Sequence, residues 1–332
     1  MKRILTLCLL TVAWTGAYAQ SDLDDLLKGS QADANYLAQG YLEPVLNAIG
    51  SGLNQGWYNT AANHKKFGFD LTLSVSSIQF PSEDSFYKVD NSKLTTLRVV
   101  SPADGMVPTF VGPKTQPTYE YVTAGVPTGS TFLGPPGVDL ANEVPLGGLP
   151  VPTLNLGVGI PWNTDVKLRY GTLSQAEASI SLFGIAVQHD IKQHIPGMKE
   201  LPFDLSALIG YTSFNSELQF DPANNPDQKG TADFSATTIQ AIIGKKLSVL
   251  TVYGSVGYNF SSGSFKAKGT YDTGAPPPAA ATMTDPVSIT SSVNGPRATA
   301  GMRLKLAVFT FHGDYTFQRY NTITFGFGIS VR

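Results

Sequence analysis

His312 and Asp314 are separated by one residue inside an alternating run, so both side chains leave the same face of one strand. A carboxylate so placed can orient an imidazole, and the pair could serve an envelope hydrolase or simply form part of a polar wall. No partner set accompanies it. Gly254-Ser255-Val256-Gly257 has the wrong spacing for a nucleophile elbow, and no His-Glu-x-x-His occurs. His189 and His194, five apart in a turn, make a poor metal pair, and His64 stands beside Lys65 and Lys66. All three read as solvated interface histidines. Cys8 is the only cysteine and lies in the leader, so the mature chain has no thiol or disulfide. The sequence therefore predicts no catalytic set, no metal site and no cofactor. Asp70, Asp165, Lys167, Arg169 and Arg303 share the polar faces of alternating runs and, with His312 and Asp314, are candidate lumen-lining residues.

Those runs have the period of a strand with one apolar face. In 67–76, Phe67, Phe69, Leu71, Leu73 and Val75 oppose Gly68, Asp70, Thr72, Ser74 and Ser76. At the C-terminus Ile323, Phe325, Phe327, Ile329 and Val331 oppose Thr324, Gly326, Gly328 and Ser330. The polar faces carry Gly, Ser and Thr rather than Lys and Glu, which favours a membrane barrel over a soluble β-sandwich. Strands are predicted near 67–79, 153–160, 164–172, 177–189, 202–214, 232–244, 248–260, 296–305, 307–317 and 321–331, with weaker ones at 93–100 and 117–123. An all-β transmembrane antiparallel barrel of about twelve strands follows, with ten to fourteen allowed. The run 177–189 fits least well, because Ile180, Leu182 and Ala186 make its second face apolar too; an internal plug facing it would explain this. Short turns at 161–164, 245–246 and 305–306 alternate with long connections at 221–229, 261–296 and 101–150, which are candidates for disorder or external recognition. Trp57, Tyr58 and Trp162 sit at strand ends and are expected as interface aromatics.

The N-terminus supplies the compartment. Lys2 and Arg3 precede an apolar stretch at 4–13 that is too short to span a bilayer, and Ala17-Tyr18-Ala19 offers a small-x-small cleavage pattern. Residues 1–19 thus read as a signal peptide, with Gln20 as the mature N-terminus. Its removal takes the formal charge from −2 to −4, since Lys2 and Arg3 leave with it. No basic patch argues for nucleic acid. Charged residues make up 14%, against about 25% in ordinary soluble domains. After residue 20 no apolar stretch reaches eighteen residues. The expected home is the outer membrane of a Gram-negative cell, with its lipid and the barrel-insertion machinery as partners. Arg332 departs from the terminal aromatic that this machinery commonly reads.

Residues 20–56 form a helical leader ahead of a barrel at 57–332. Leu23, Leu26 and Leu27 follow helical spacing, Ser30 can cap a second helix with Asp33 three positions on, and Gly50 and Gly52 end its pattern. The leader is either a plug in the lumen or a helix packed on the rim.

Gly56-Trp57-Tyr58-Asn59-Thr60-Ala61, the strand 67–72, the stretch 158–170, His189-Asp190-Ile191-Lys192-Gln193-His194-Ile195-Pro196-Gly197 and Leu201-Pro202-Phe203-Asp204-Leu205-Ser206 resemble an uncharacterised family of outer-membrane β-barrels from Bacteroidota, a domain of unknown function. That resemblance implies the fold and no activity. Architecturally the chain is more distantly similar to FadL-like long-chain fatty acid transporters, although it is shorter and lacks their Asn-Pro-Ala plug motif. The analogy implies passive passage of a small or hydrophobic ligand, gated by 21–53. The alternatives are a closed structural or surface-interaction barrel, and an envelope hydrolase using His312 and Asp314.

Overall fold

The computed structural model describes residues 25–175, 177–274 and 281–331. The expected signal peptide, Cys8 and residues 20–24 lie outside the described residues. Among the described residues ten strands form the ring: β1 (Phe69–Gln79), β2 (Gly148–Ile160), β3 (Thr164–Ser174), β4 (Ala178–Asp190), β5 (Asp204–Asp221), β6 (Asn225–Leu247), β7 (Leu250–Lys268), β8 (Gly295–Leu306), β9 (Phe309–Phe317) and β10 (Thr322–Val331). Each pairs antiparallel with its neighbour in the chain, and β1 closes on β10 from Phe69↔Val331 to Ile78↔Thr322. All are long enough, at nine residues or more, to cross a hydrocarbon core. The runs 93–100 and 117–123 stay out of the ring. They supply Leu97–Ser101 and Thr118–Thr123, which pair with each other, and Thr118–Thr123 pairs on its other side with Val126–Leu133. Short alternating runs read alike whether they join the ring or a separate sheet, so the count of twelve falls to ten.

Alternation places the two faces of each ring strand in opposite environments. Phe69, Leu71, Phe183, Ile185, Ile239, Phe311, Phe325 and Phe327 point outward and are exposed. Thr72, Ser74, Gln188, Thr238, Thr316 and Thr324 point inward and are buried. No helix of the described residues is long and apolar enough to cross a membrane. The outer band belongs to the strands, the pattern of a barrel that meets lipid.

At one end of the ring, β2–β3, β6–β7 and β8–β9 are joined by two or three residues. The same end carries the β4–β5 connection, 191–203, while the opposite end carries the two longest connections, 80–147 and 269–294, and closes β5–β6 with only 222–224 where a long connection over 221–229 was expected. Of the alternatives for 101–150, disorder or external recognition, disorder does not hold, because this stretch folds into strands of its own. Phe86–Lys88 pairs with Met106–Pro108, and the three-stranded sheet stands beside them as a cap. β7 is bracketed by β8 along its lower part and by Val287–Ser292 along its upper part.

Helix α1 (Gln31–Leu53) organises this end. Ser30 caps it, its hydroxyl accepting from the Asp33 amide at 3.2 Å. The Asp33 carboxylate, fully buried, accepts four hydrogen bonds from the amides and hydroxyls of Thr95 and Thr96, at 2.6–3.0 Å. Leu26, Leu27, Leu37 and Tyr41 share one apolar cluster with Leu97, Val99 and Tyr119 of the cap and Phe234, Val287 and Ile289 of the wall. Pro44 lies inside the helix, and Gly40, whose carbonyl it leaves without an i+4 amide, lets the Tyr87 ring approach where a Cβ would sit 2.2 Å from it.

Burial raises the phenols of Tyr87 and Tyr119 in this cap, and hydrogen bonds from Arg98 with an amide from Gly129 lower the Glu120 carboxyl. A raised phenol stabilises the folded cap below its ordinary value of about 10 and loses that contribution as pH rises through the folded value. The depressed Glu120 stabilises above its ordinary value of about 4.3 and fails as pH falls through the folded one. Proteolysis of 86–138 should therefore accelerate at both extremes while the ring keeps its heat-resistant gel mobility, and Tyr87→Phe should weaken the alkaline limb, with Tyr119 sustaining what remains, and leave the acid limb unchanged. Asp33→Ala should open the cap at neutral pH, with a cost of at least about 1.5–3 kcal/mol, the worth of one hydrogen bond to a charged group; limited proteolysis reports it.

Candidate functional site: the filled lumen

Below the cap the chain continues down the inside of the ring. Gly50 and Gly52 make the descent close: a Cβ on Gly50 would lie 2.6 Å from Ser261 Oγ, and one on Gly52 would lie 2.7 Å from Val151 Cγ2. After Leu53 the segment is irregular, so its backbone groups need partners from the wall. Two arginines provide half of the carbonyl partners. Arg169 on β3 donates from Nη1 to the Leu53 carbonyl at 2.8 Å and from Nη2 to the Gln55 carbonyl at 2.5 Å, while its Nε donates to Asn155 Oδ1 at 2.9 Å. Its guanidinium lies 4.0 Å from the centre of the Trp57 ring, at stacking distance. Arg297 on β8 donates from Nη1 to the Asn54 carbonyl at 3.0 Å and from Nη2 to Gln55 Oε1 at 2.8 Å. Among the described residues neither arginine has a carboxylate within ion-pairing distance. Carbonyl dipoles and hydroxyls solvate both charges.

Lower down, Asn155 Nδ2 donates to the Gly56 carbonyl, the Tyr58 hydroxyl bonds Gln240 and Ser255, and Gln188 Nε2 donates to the carbonyls of Thr60 and Ala61. Trp57 packs against the bare backbones of Gly184 and Gly210, where a Cβ would meet its ring at 2.9 and 3.0 Å. Trp57 and Tyr58 are therefore not interface aromatics. Their types fit either surface, and the lumen takes them because glycines on β4 and β5 leave room and Gln240 satisfies the phenol. Trp162, in the β2–β3 turn, is 80% exposed. Ala186 and Leu182 of the doubly apolar run face this filling: Ala186 packs in the Trp57 cluster, and Leu182 packs against the cluster around α1.

At the short-turn end His64 is held inside the rim rather than solvated. Its Nδ1 lies 2.9 Å from Asp165 Oδ2, its amide donates to Asp165 Oδ1 at 3.0 Å, and its Nε2 lies 3.4 Å from Ser330 Oγ and 3.7 Å from Asp70 Oδ1. The order Asp–His–Ser has the form of a hydrolytic relay. However, Ser330 is 2% exposed, its oxygen already accepts from Lys305 Nζ at 3.2 Å, and two carboxylates flank the imidazole. The group acts as a latch for the chain before β1.

The structure brings Asp70, Asp165, Lys167, Arg303 and His312 to the inner face of this end and Arg169 to mid-wall. It does not join His312 to Asp314. His312 Nε2 lies 3.4 Å from Ser74 Oγ, whereas Asp314 accepts from the Tyr253 hydroxyl at 2.9 Å. The two side chains share a face but turn to different neighbours across the sheet. His189 and His194 do meet, Nε2 to Nε2 at 2.9 Å, in an exposed turn. Among the described residues no group of three or more His, Cys, Asp or Glu could hold a metal. Arg297, Gln55, Gln188 and Gln240 carry much of the lumenal bonding and were not singled out by the sequence. Parity with Thr299 and Arg303 is the one signal that would have found Arg297.

The family model described as "Family of unknown function (DUF6588)" matches residues 1–331. The chain belongs to this family. No curated protein matches the sequence. Solved structures to which the chain is similar include Ail, the attachment invasion locus protein of Yersinia pestis (7% identity, 80% of this chain and 99% of that one, TM-score 0.28). They also include the translocator domain of the autotransporter NalP from Neisseria meningitidis (11%, 87% and 93%, 0.32) and a Pseudomonas aeruginosa FadL homologue (11%, 87% and 68%, 0.30).

Beyond residue 20 the sequence holds two tryptophans, Trp57 and Trp162, one 2% and the other 80% exposed. Trp162→Phe, which keeps Trp57, should leave fluorescence that an aqueous quencher does not reach in the folded state and reaches fully in denaturant. Strong quenching of the folded variant would contradict the placement of Trp57.

Proposed function

We propose that this DUF6588 protein is an outer-membrane barrel that rests closed and works from its long-loop face as a surface-interaction barrel. The observation that carries this reading is the set of wall side chains, from Arg169 and Arg297 down to Gln188, that bind the backbone of 53–61 across the lumen. A segment so held blocks free diffusion. Its ordered cap leaves a shaped surface at the end where such barrels carry their external loops.

A second reading, passage of a small molecule after release of the plug, is favoured by one feature. Beside α1 lies a cleft of about 730 Å³ lined by Glu43, Ser213, Asn215, Asp233, Ser264 and Thr290 among others. Hydroxyls, an amide and two carboxylates beside Phe234 suit a hydrophilic solute better than a purely apolar one. Passage of a fatty-acid-like cargo therefore has less physical support than the architecture alone implied.

Bilayer conductance separates the readings. The mature wild-type protein should show little steady current, and the double variant Arg169→Ala, Arg297→Ala should conduct while keeping its folded gel mobility. Steady wild-type conductance would sink the closed reading in favour of passage. A folded double variant that stays silent would show that the arginine contacts do not hold the closure.

A further inference from the structure

The N-terminal segment crosses the lumen in one direction, and β7 serves as a ruler for it. β7 starts at the short-turn end with Leu250 and reaches the long-loop end with Lys268. Tyr58 bonds Ser255, Asn54 Nδ2 donates to the Phe260 carbonyl, and Gly50 abuts Ser261. Gln39 donates to the carbonyl of Thr290, which pairs with Ser264, and Asn35 accepts from the amide of Ser288, which pairs with Lys266. As residue number falls from 58 to 35, position on the ruler climbs from 255 to 266. The segment ends above it, with the Ser30 amide on Thr96 of the cap. At the other end, Asn63 donates to the Asn163 and Gln188 carbonyls, and the Phe67 amide donates to the Gly159 carbonyl, so the chain reaches β1 at the short-turn rim. Val331, the last described residue, lies at that same rim against Phe69.

We infer that the N-terminal end of the plug, residues 25–36, is a cell-surface element, while the first strand of the ring begins and the last strand ends on the periplasmic side. The inference rests on the reading that the long-loop face points outward. Residues 25–66 then form one limb of a hairpin whose other limb is β1, with its open end outside and its bend at the periplasmic rim. A strand ring followed by a simple periplasmic tail does not require this. The N-terminal limb must be carried outward within the closing ring, or enclosed by it during assembly. The helix start that caps against Thr95 and Thr96 becomes part of the surface a partner would meet, with Gln31 and Ala32 exposed there.

Single cysteines decide the point, because the mature chain has none of its own. Ala32→Cys, Gln31→Cys, Ser130→Cys in the cap and Ala62→Cys near the short-turn rim are all exposed positions. Each variant is first checked for folded gel mobility, then treated in intact cells with a membrane-impermeant maleimide. Ala32→Cys and Gln31→Cys should label as fully as Ser130→Cys, and Ala62→Cys should label only after the outer membrane is permeabilised. Labelling of Ser130→Cys without the two helix-start cysteines would overturn the threading and leave the orientation standing. Protection of Ser130→Cys would overturn the outward orientation itself, and with it this inference.

Discussion

An irregular peptide inside a strand ring has no ladder to satisfy its carbonyls, and this constraint shapes the protein. The wall meets it with multiply donating side chains, the guanidiniums of Arg169 and Arg297 and the neutral amides of Asn155 and Gln188. A guanidinium offers five donors in a fixed fork, so Arg169 can hold two backbone carbonyls and a side-chain amide at once while stacking on Trp57. Each buried carbonyl left without a partner would cost about 1–3 kcal/mol. The pairing is mutual, since an arginine buried without a carboxylate needs those same carbonyls.

The remaining architecture follows from keeping this filling in register. Gly50 and Gly52 bring the helix against both sides of the wall, Gly184 and Gly210 receive the indole, and the His64–Asp165 contact fixes the point of departure. At the far end the Asp33 carboxylate ties the helix start to the cap, so the plug and the cap are joined at this point. The connection 80–147 folds because it has α1 to pack on. The plug in turn gains from it a large share of its apolar burial, through Leu26, Leu27 and Leu37. The barrel exterior takes no part in this and is free to meet lipid.

The sequence carried the wall more clearly than its contents. Strict alternation over 69–76 and in Thr322–Val331 gave both the strands and their inward faces, because a period of two leaves no second solution. The capping pair Ser30 and Asp33 gave the helix start. Alternation does not say what occupies the space that the polar face encloses. Trp57 and Tyr58 therefore read as rim aromatics and His64 as a solvated residue, although each is bound inside. Arg297 escaped because it follows Pro296 at the edge of its run. The cap strands were misread as ring strands since short alternating segments carry no mark of their partners. The apolar second face of β4 was the one place where the strand pattern itself registered a neighbour inside the ring.

The central claim is that the N-terminal segment lies within the ring in the membrane-embedded protein. Cysteines at Gly50 and Ser261, whose side-chain positions adjoin, test it most directly. Mild oxidation of the inserted double variant should link the two residues and shift its mobility under denaturing, non-reducing conditions. Two thiols that remain free and react separately with maleimide would place the helix elsewhere and contradict the account.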